Sequence, residues 1–543
     1  ETGKYESLKE SLDHYLDTWR KYNLEFIEAF HLIESSLYEG SEERRLELLD
    51  KGLNTILEET YEKMLHYAQN LKSPITMLHM LGIILPILGL VILPLVVSFM
   101  CSVQWYHLAA LYNIALPIGI YLLGKNILAK RPTGYGDTDI AEENPELRKY
   151  RNVLFRVGKF ELQIQPVFFS LLVGGFLILV GISPLLLHAV RPGWDVVFDS
   201  EGLRTISSTT DADATYFFLE YRKSKGCPPG EGNLNTYIGP YGLGAAVLSI
   251  VLVLGVAWGV GFYYKLRSQN VLKIRERAKA LEAEFASALF QLGNRIGDGI
   301  PAEIAFSKVA EVMEGTTSGQ FFNLVASNIS TLGMSVEDAI FDPEHGALVS
   351  YPSSVIESSM KVLVESVKKG PQIAAAAVLN VARYIKEIHR VDERLKDLLA
   401  DIISSMVSQI KFLTPAISGI VIGLTSMITT ILGKLGGQLQ QATVTTTPGA
   451  PATTAQDITT LFGDGVPTFW FQIVVGLYVV QILYILTVLV NGISNGADKL
   501  NERYTLGQNL IKSTLTYVIT ALAVMLLFNI IAGNILSGLN NVA

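Results

Sequence analysis

"MLHYAQNLKSPITMLHMLGIILPILGLVILPL" (residues 64–95) begins as a polar, helix-patterned run, meets Pro74 and continues as an uncharged apolar run. "MVSQIKFLTPAISGIVIGLTSMITTILGKL" (406–435) repeats that plan around Pro415. A bilayer is crossed by about 20 apolar residues in one helix, so each stretch reads as a water-exposed helix entering a membrane. Working outward, seven blocks are long enough: Met77–Met100, Trp105–Ile127, Pro166–Val190, Tyr241–Tyr264, Phe412–Leu432, Thr468–Val490 and Ser513–Leu536. Composition agrees, since only 17% of the 543 residues are charged and 49% are hydrophobic, against about 25% charged in a soluble domain. The expected fold is all-α, a polytopic helical membrane protein with about seven spans and two cytoplasmic helical bundles of unequal size.

Charge sets the orientation. The net charge of −8 mixes both aqueous sides. The linkers divide more clearly. Lys130, Arg131, Arg148, Lys149, Arg151 and Arg156 crowd one linker, Arg267, Lys273, Arg275 and Arg277 a second, and Lys499, Arg503 and Lys512 a third. The stretch 436–467 has no Lys or Arg at all. Basic residues near span ends stay in the cytoplasm, which predicts a cytoplasmic N-terminus and an extracellular C-terminus. The charged, polar opening does not fit a cleavable signal peptide, and a start at Glu1 rather than Met reads as a trimmed form. Cys101 and Cys227 both fall on the expected outer side; a disulfide and two separate thiols fit equally.

The expected layout is a cytoplasmic helical domain at 1–76, two spans within 77–127, a cytoplasmic linker at 128–165 and a span at 166–190. An extracellular loop (191–240) and a span (241–264) follow, then a larger cytoplasmic helical domain at 265–411. A span at 412–435, a Thr/Pro-rich extracellular loop at 436–467, two spans within 468–536 and a short tail at 537–543 complete it. In the first domain Leu46, Leu49, Leu53, Ile56, Tyr61 and Leu65 keep near one helical face. In the second, Ile274, Ala278, Leu281, Phe285 and Leu289 do so. "GDGIP" (297–301) stops that helix, and Pro301 suits the first turn of the next. From Pro371 to Lys411 no Gly or Pro interrupts the pattern. "EFIEAFHLIESSLYEG" (25–40) lies over "EFASALFQLGNRIGDG" (284–299), and the Pro74 and Pro415 junctions match, which suggests a duplicated unit.

Chemistry is hard to find. Transporters place ionisable residues inside their spans, and the central parts of these seven blocks hold no Asp, Glu, Lys or Arg. No phosphate-binding Gly-rich loop, metal-ligand spacing or nucleophile elbow occurs. The chain does not read as an enzyme, and no catalytic, cofactor or metal site is expected. Pro86, Pro94, Pro117 and Pro184 sit in or near spans, where they kink helices or open grooves. His79, His107 and His188 lie near span ends.

The combination of "EFASALFQLGNRIGDGIPAEIAFSKVA" (284–310) with the two junctions resembles the type II secretion system F domain family, particularly the platform proteins of archaeal type IV pili and the archaellum. The resemblance covers roughly 270–440 and, more weakly, 45–130. It implies a membrane platform that couples a hexameric cytoplasmic secretion ATPase to the insertion of pilin or archaellin subunits. It also implies a homodimer and no nucleic-acid partner. Arg275, Arg277 and Lys279, shaped by the Gly297, Gly299 and Pro301 turn, are the expected ATPase contacts. Pro74 and Pro415 are the expected coupling junctions. The alternatives are a membrane receptor or sensor and, further off, a solute transporter.

Overall fold

A computed structural model describes residues 16, 19–20, 24–99, 104–131, 152–157, 160–192, 194–199, 202–206, 216–223, 237–445, 466–496 and 498–540. Cys101, Cys227 and most of the Thr/Pro-rich loop lie outside them. Helices dominate, and seven of those described are long and apolar enough to cross a membrane. The chain is an all-α, multi-pass membrane protein.

Two compact units form, one from Glu1–Leu71, Lys130–Gly134 and Lys273–Asp401, the other from Lys72–Ala129, Tyr135–Leu272 and Ile402–Ala543. In the first, α1 (Leu24–Tyr38) turns at Gly40 into α2 (Glu42–His79). The two pack closely at Gly52, where a side chain would meet the Ala29 carbonyl at 3.0 Å. The end of α7 (Leu243–Gly297) then packs with α8 (Ala302–Val312), α9 (Thr317–Leu332), α10 (Val336–Phe341), α11 (Ala347–Ser350), α12 (Ser354–Val367) and the start of α13 (Pro371–Ser408). Phe285, Phe306, Phe321 and Phe322 are fully buried at their centre. Phe306 stacks on Phe322 with centroids 5.5 Å apart, and Phe321 meets Phe322 edge-on at 5.6 Å. Hydroxyls cap the helix starts: Thr316 accepts from Gly319 N–H, Ser335 from Asp338 N–H and Ser353 from Ile356 N–H.

The second unit holds the remaining α2 residues, then α3 (Leu85–Phe99), α4 (Trp105–Ala110), α5 (Leu116–Ala129), α6 (Pro166–Val190) and the first part of α7. It is completed by α14 (Thr414–Thr445), α15 (Thr468–Asn495) and α16 (Lys499–Asn540). Without a hydrophobic drive between helices in lipid, small residues let backbones approach. A Cβ on Gly174 of α6 would sit 2.8 Å from the Gly259 Cα of α7, and one on Gly419 of α14 would collide with Thr520 of α16. The apolar window of α15 is 72% buried and that of α6 only 17%, so α15 is enclosed by protein and α6 lies outermost.

Three features differ from the sequence reading. The linker at 128–165 contains a hairpin, β1 (Val153–Val157) with β2 (Phe160–Ile164); short alternating runs of this kind carry little periodic signal. The loop at 191–240 folds as strands β3 (Asp195–Asp199), β4 (Gly202–Ile206) and β5 (Tyr216–Phe217) in the order β4-β3-β5, beside a pair β6 (Arg222–Lys223) and β7 (Tyr237–Ile238). Helix α14 continues ten residues past the expected end at 435, to Thr445, since no proline occurs between Pro415 and Pro448.

Buried Asp195 organises that β subdomain. Its carboxylate accepts from the N–H groups of Val196 (2.7 Å), Leu219 (2.8 Å) and Glu220 (2.8 Å). Burial pushes its carboxyl up from the ordinary range, opposed by those three donors. Burial also pushes the Tyr221 phenol up to about 12. That hydroxyl donates to the Pro184 carbonyl of α6 at 3.1 Å, and the His188 ring stacks on Tyr221 at 3.8 Å.

Candidate functional site

Proline decides the local structure where the helices enter the apolar region. Its ring clashes with the carbonyl four residues back, and it has no N–H to donate there. Among the described residues three π-turns, each a helical turn with one extra residue, occur at Met80–Ile84, Leu111–Ala115 and Gln409–Leu413. Each ends two residues before a proline: Pro86, Pro117 and Pro415. The wide turn relieves the clash without breaking the helix.

Three of the carbonyls that stand four residues before a proline find side-chain donors, as burial away from water favours. Gly82, four residues before Pro86, accepts from the Tyr478 hydroxyl of α15. Asn113, four before Pro117, accepts from Nε2 of Gln481, also on α15, at 3.2 Å. Val180, four before Pro184, accepts from the Ser183 hydroxyl at 2.7 Å. The Tyr112 hydroxyl donates to the Pro86 carbonyl at 3.1 Å, and its ring meets Tyr478 edge-on at 5.6 Å. The enclosed helix α15 therefore anchors both α2–α3 and α4–α5 at their wide turns.

The third wide turn is tied in through His79. The Gln409 side-chain amide and His79 Nδ1 share a hydrogen bond of 2.8 Å. Helix α3 packs against α14 beyond this contact. Pro86 and Pro415 each follow a wide turn by two residues, whereas Pro74 does not. Pro74 is half-buried inside α2, and the described residues around it form ordinary α-helix. The helix from Pro371 is also not a plain α-helix through Lys411, because it widens at Gln409.

The residues expected to dock a partner are not equivalent. Arg277 and Lys279 are exposed on α7, whereas Arg275 is buried, with 5% exposure. Arg275 falls on the apolar stripe of the helix, three residues before the buried Ala278. Gly297 faces the bundle, where an added Cβ would lie 3.4 Å from that of Ala375. Gly299 has φ +86°, a left-handed conformation that suits glycine. Pro301 precedes the first turn of α8 as its N-cap, one position earlier than expected. His107 closes a capping box with Gln104 at the start of α4.

Sequence reading missed Tyr478, Gln481, His79 and Gln409 as members of one network. A usable signal exists: polar side chains on an otherwise apolar span, opposite helices whose prolines free a carbonyl. Among the described residues no group of His, Cys, Asp and Glu is arranged to hold a metal ion. No family model matches the chain, and no curated protein or solved structure is similar to it.

Proposed function

We propose that this protein is a cytoplasmic-membrane platform for assembly of a type IV pilus-like filament, an archaeal pilus or archaellum, in which strokes of a hexameric secretion ATPase reach pilin subunits through its helices. The observation that carries this reading is helix continuity. Helix α7 is 55 residues long, about 83 Å at 1.5 Å per residue, and a bilayer core takes only about 30 Å of that. One unbroken helix therefore carries both an apolar span and a charged segment whose buried face belongs to the soluble bundle. Helices α2 and α13 likewise pass into α3 and α14 through wide turns rather than through loops. An unbroken helix such as α7 transmits rotation or displacement, which a loop would absorb.

In this reading the N-terminus and the bundle of 265–411 face the cytoplasm and the β subdomain lies outside. Arg277 and Lys279, with exposed Lys273, form the cationic patch that steers an acidic partner surface. Pilin helices are accommodated along the lipid-exposed apolar faces of the outer spans. The test is crosslinking mass spectrometry on the full-length protein in native membranes, together with Arg277→Glu/Lys279→Glu in the producing cell. Crosslinks from Lys279 to a secretion ATPase, and loss of filaments at unchanged protein level in the double variant, support it. Normal filaments in a deletion strain, with solute uptake by the purified chain in vesicles, would replace it with a transporter.

A further inference from the structure

We infer that the wide turns at Met80–Ile84 and Gln409–Leu413 form one joint, in which the hydrogen bond between His79 and Gln409 makes α2 and α13 turn together relative to α3 and α14. Three observations place it. The two turns stand at the same distance from a proline, ending two residues before Pro86 and before Pro415. His79 is the last residue of α2 and Gln409 the first of the Gln409–Leu413 turn, so their 2.8 Å contact links the two helices where each widens. Beyond the turns, α3 and α14 pack on each other, while Tyr478 holds the Gly82 carbonyl from α15. The far side of the joint is therefore fixed, and the near side is bridged by the His79–Gln409 bond.

The geometry of a π-turn gives such a joint its stroke. It stores one more residue than an α-turn. Taking that residue up into a regular helix, or moving the wide turn along the chain, rotates the preceding helix by about 100° and advances it by about 1.5 Å. No backbone hydrogen bond is lost overall, so the change costs far less than breaking the helix. If α2 alone rotated, His79 would leave Gln409. Both side chains are already short of partners: the other ring nitrogen of His79 and the Gln409 amide oxygen are buried and unpaired among the described residues. Parting them would leave two more buried polar atoms without partners, which a concerted move of both helices avoids.

The wide turn at Leu111–Ala115, although its Tyr112 touches the Pro86 carbonyl, supplies a comparison. Its carbonyl at Asn113 is held by Gln481 of α15, and its helix has no part in the His79–Gln409 bond. The device is a property of the chain alone and stands apart from the platform reading.

The test is hydrogen–deuterium exchange of the full-length protein in lipid nanodiscs, with no ATPase or filament present. In Gln409→Ala and in His79→Ala, exchange is expected to speed up at least about fivefold, the factor set by loss of one ordinary hydrogen bond, in both 80–84 and 409–413. Residues 111–115 should keep the wild-type rate. His79→Asn, whose amide oxygen takes the place of Nδ1, should restore slow exchange in both turns. Faster exchange confined to the substituted helix's own turn, or equal acceleration at 111–115, would overturn the joint. If Gln409→Ala does not fold, the two His79 variants discriminate between the same outcomes.

Discussion

Tyr478→Phe is the sharpest perturbation of the proline network. Tyr478 is 1% exposed and its hydroxyl donates to the Gly82 carbonyl, which Pro86 leaves without a helical N–H. The substitution keeps the ring and its edge contact with Tyr112, so the loss isolates one hydrogen bond. Leaving a buried acceptor unpaired costs about 1–3 kcal/mol, while interhelical bonds within membranes average only about 0.6 kcal/mol. The expected loss is about 1–2 kcal/mol, read from reversible unfolding of the full-length protein in mixed micelles. The double-mutant cycle supplies the discriminating step. In Pro86→Ala the new backbone N–H can serve Gly82, so Tyr478→Phe should then cost only a few tenths of a kcal/mol. Equal costs in the two backgrounds would refute the idea that Tyr478 replaces a donor removed by proline.

Gly174→Val should detach α6, because its side chain would meet the Gly259 Cα at 2.8 Å and the Gly255 carbonyl at 3.0 Å; a cost of about 1–3 kcal/mol is expected, seen as faster proteolysis of the loop after α6. Gly299→Ala has open space around it but a φ of +86°, so it should cost about 1 kcal/mol of strain while leaving the cross-linking pattern of the bundle unchanged. Asp195→Ala leaves three N–H donors of the β subdomain without their acceptor; limited proteolysis should then cut within 191–240 under conditions where the parent chain resists. Asp342 accepts from His345 and Glu344 N–H at 2.8 Å each, which lowers its carboxyl below the usual range. Its contribution is present above the ordinary Asp value and is lost as pH falls through the lowered one, so acid should loosen the turn after α10 in the parent chain and have no such step in Asp342→Ala.

Much of the architecture was legible because lipid imposes it. Blocks such as Thr468–Val490 carry no charge over a bilayer's thickness, and the observed α15 begins at that Thr468. The helices of the first unit were legible where a stripe repeats, as at Ala278, Leu281 and Phe285, all buried. Other parts resist one-dimensional reading. Arg275 looks like its neighbours Arg277 and Lys279 as a charge, and only the phase of the helix shows that it turns inward. The strands of 191–240 depend on Asp195 reaching Leu219 and Glu220, more than twenty residues away, which no local pattern encodes. Pro74 and Pro415 looked equivalent by sequence because each stands near a polar-to-apolar change. The backbone pairs Pro86 with Pro415 instead, since a π-turn answers to the carbonyl four residues back and not to hydropathy. The Tyr478–Gly82 bond was invisible because it joins residues 396 positions apart.

In the proposed platform reading, force passes along α7, which must stay unbroken for it to do so. A Gly-Pro-Gly insertion between Glu276 and Arg277 removes that continuity, and filament counts per cell at matched protein level in the membrane report the consequence. On that reading filaments disappear while crosslinks between the bundle and a secretion ATPase persist. An Ala-rich helical insertion of seven residues, close to two full turns, should restore assembly in part. Wild-type filament numbers with the Gly-Pro-Gly insertion in place would contradict a mechanical role for this helix.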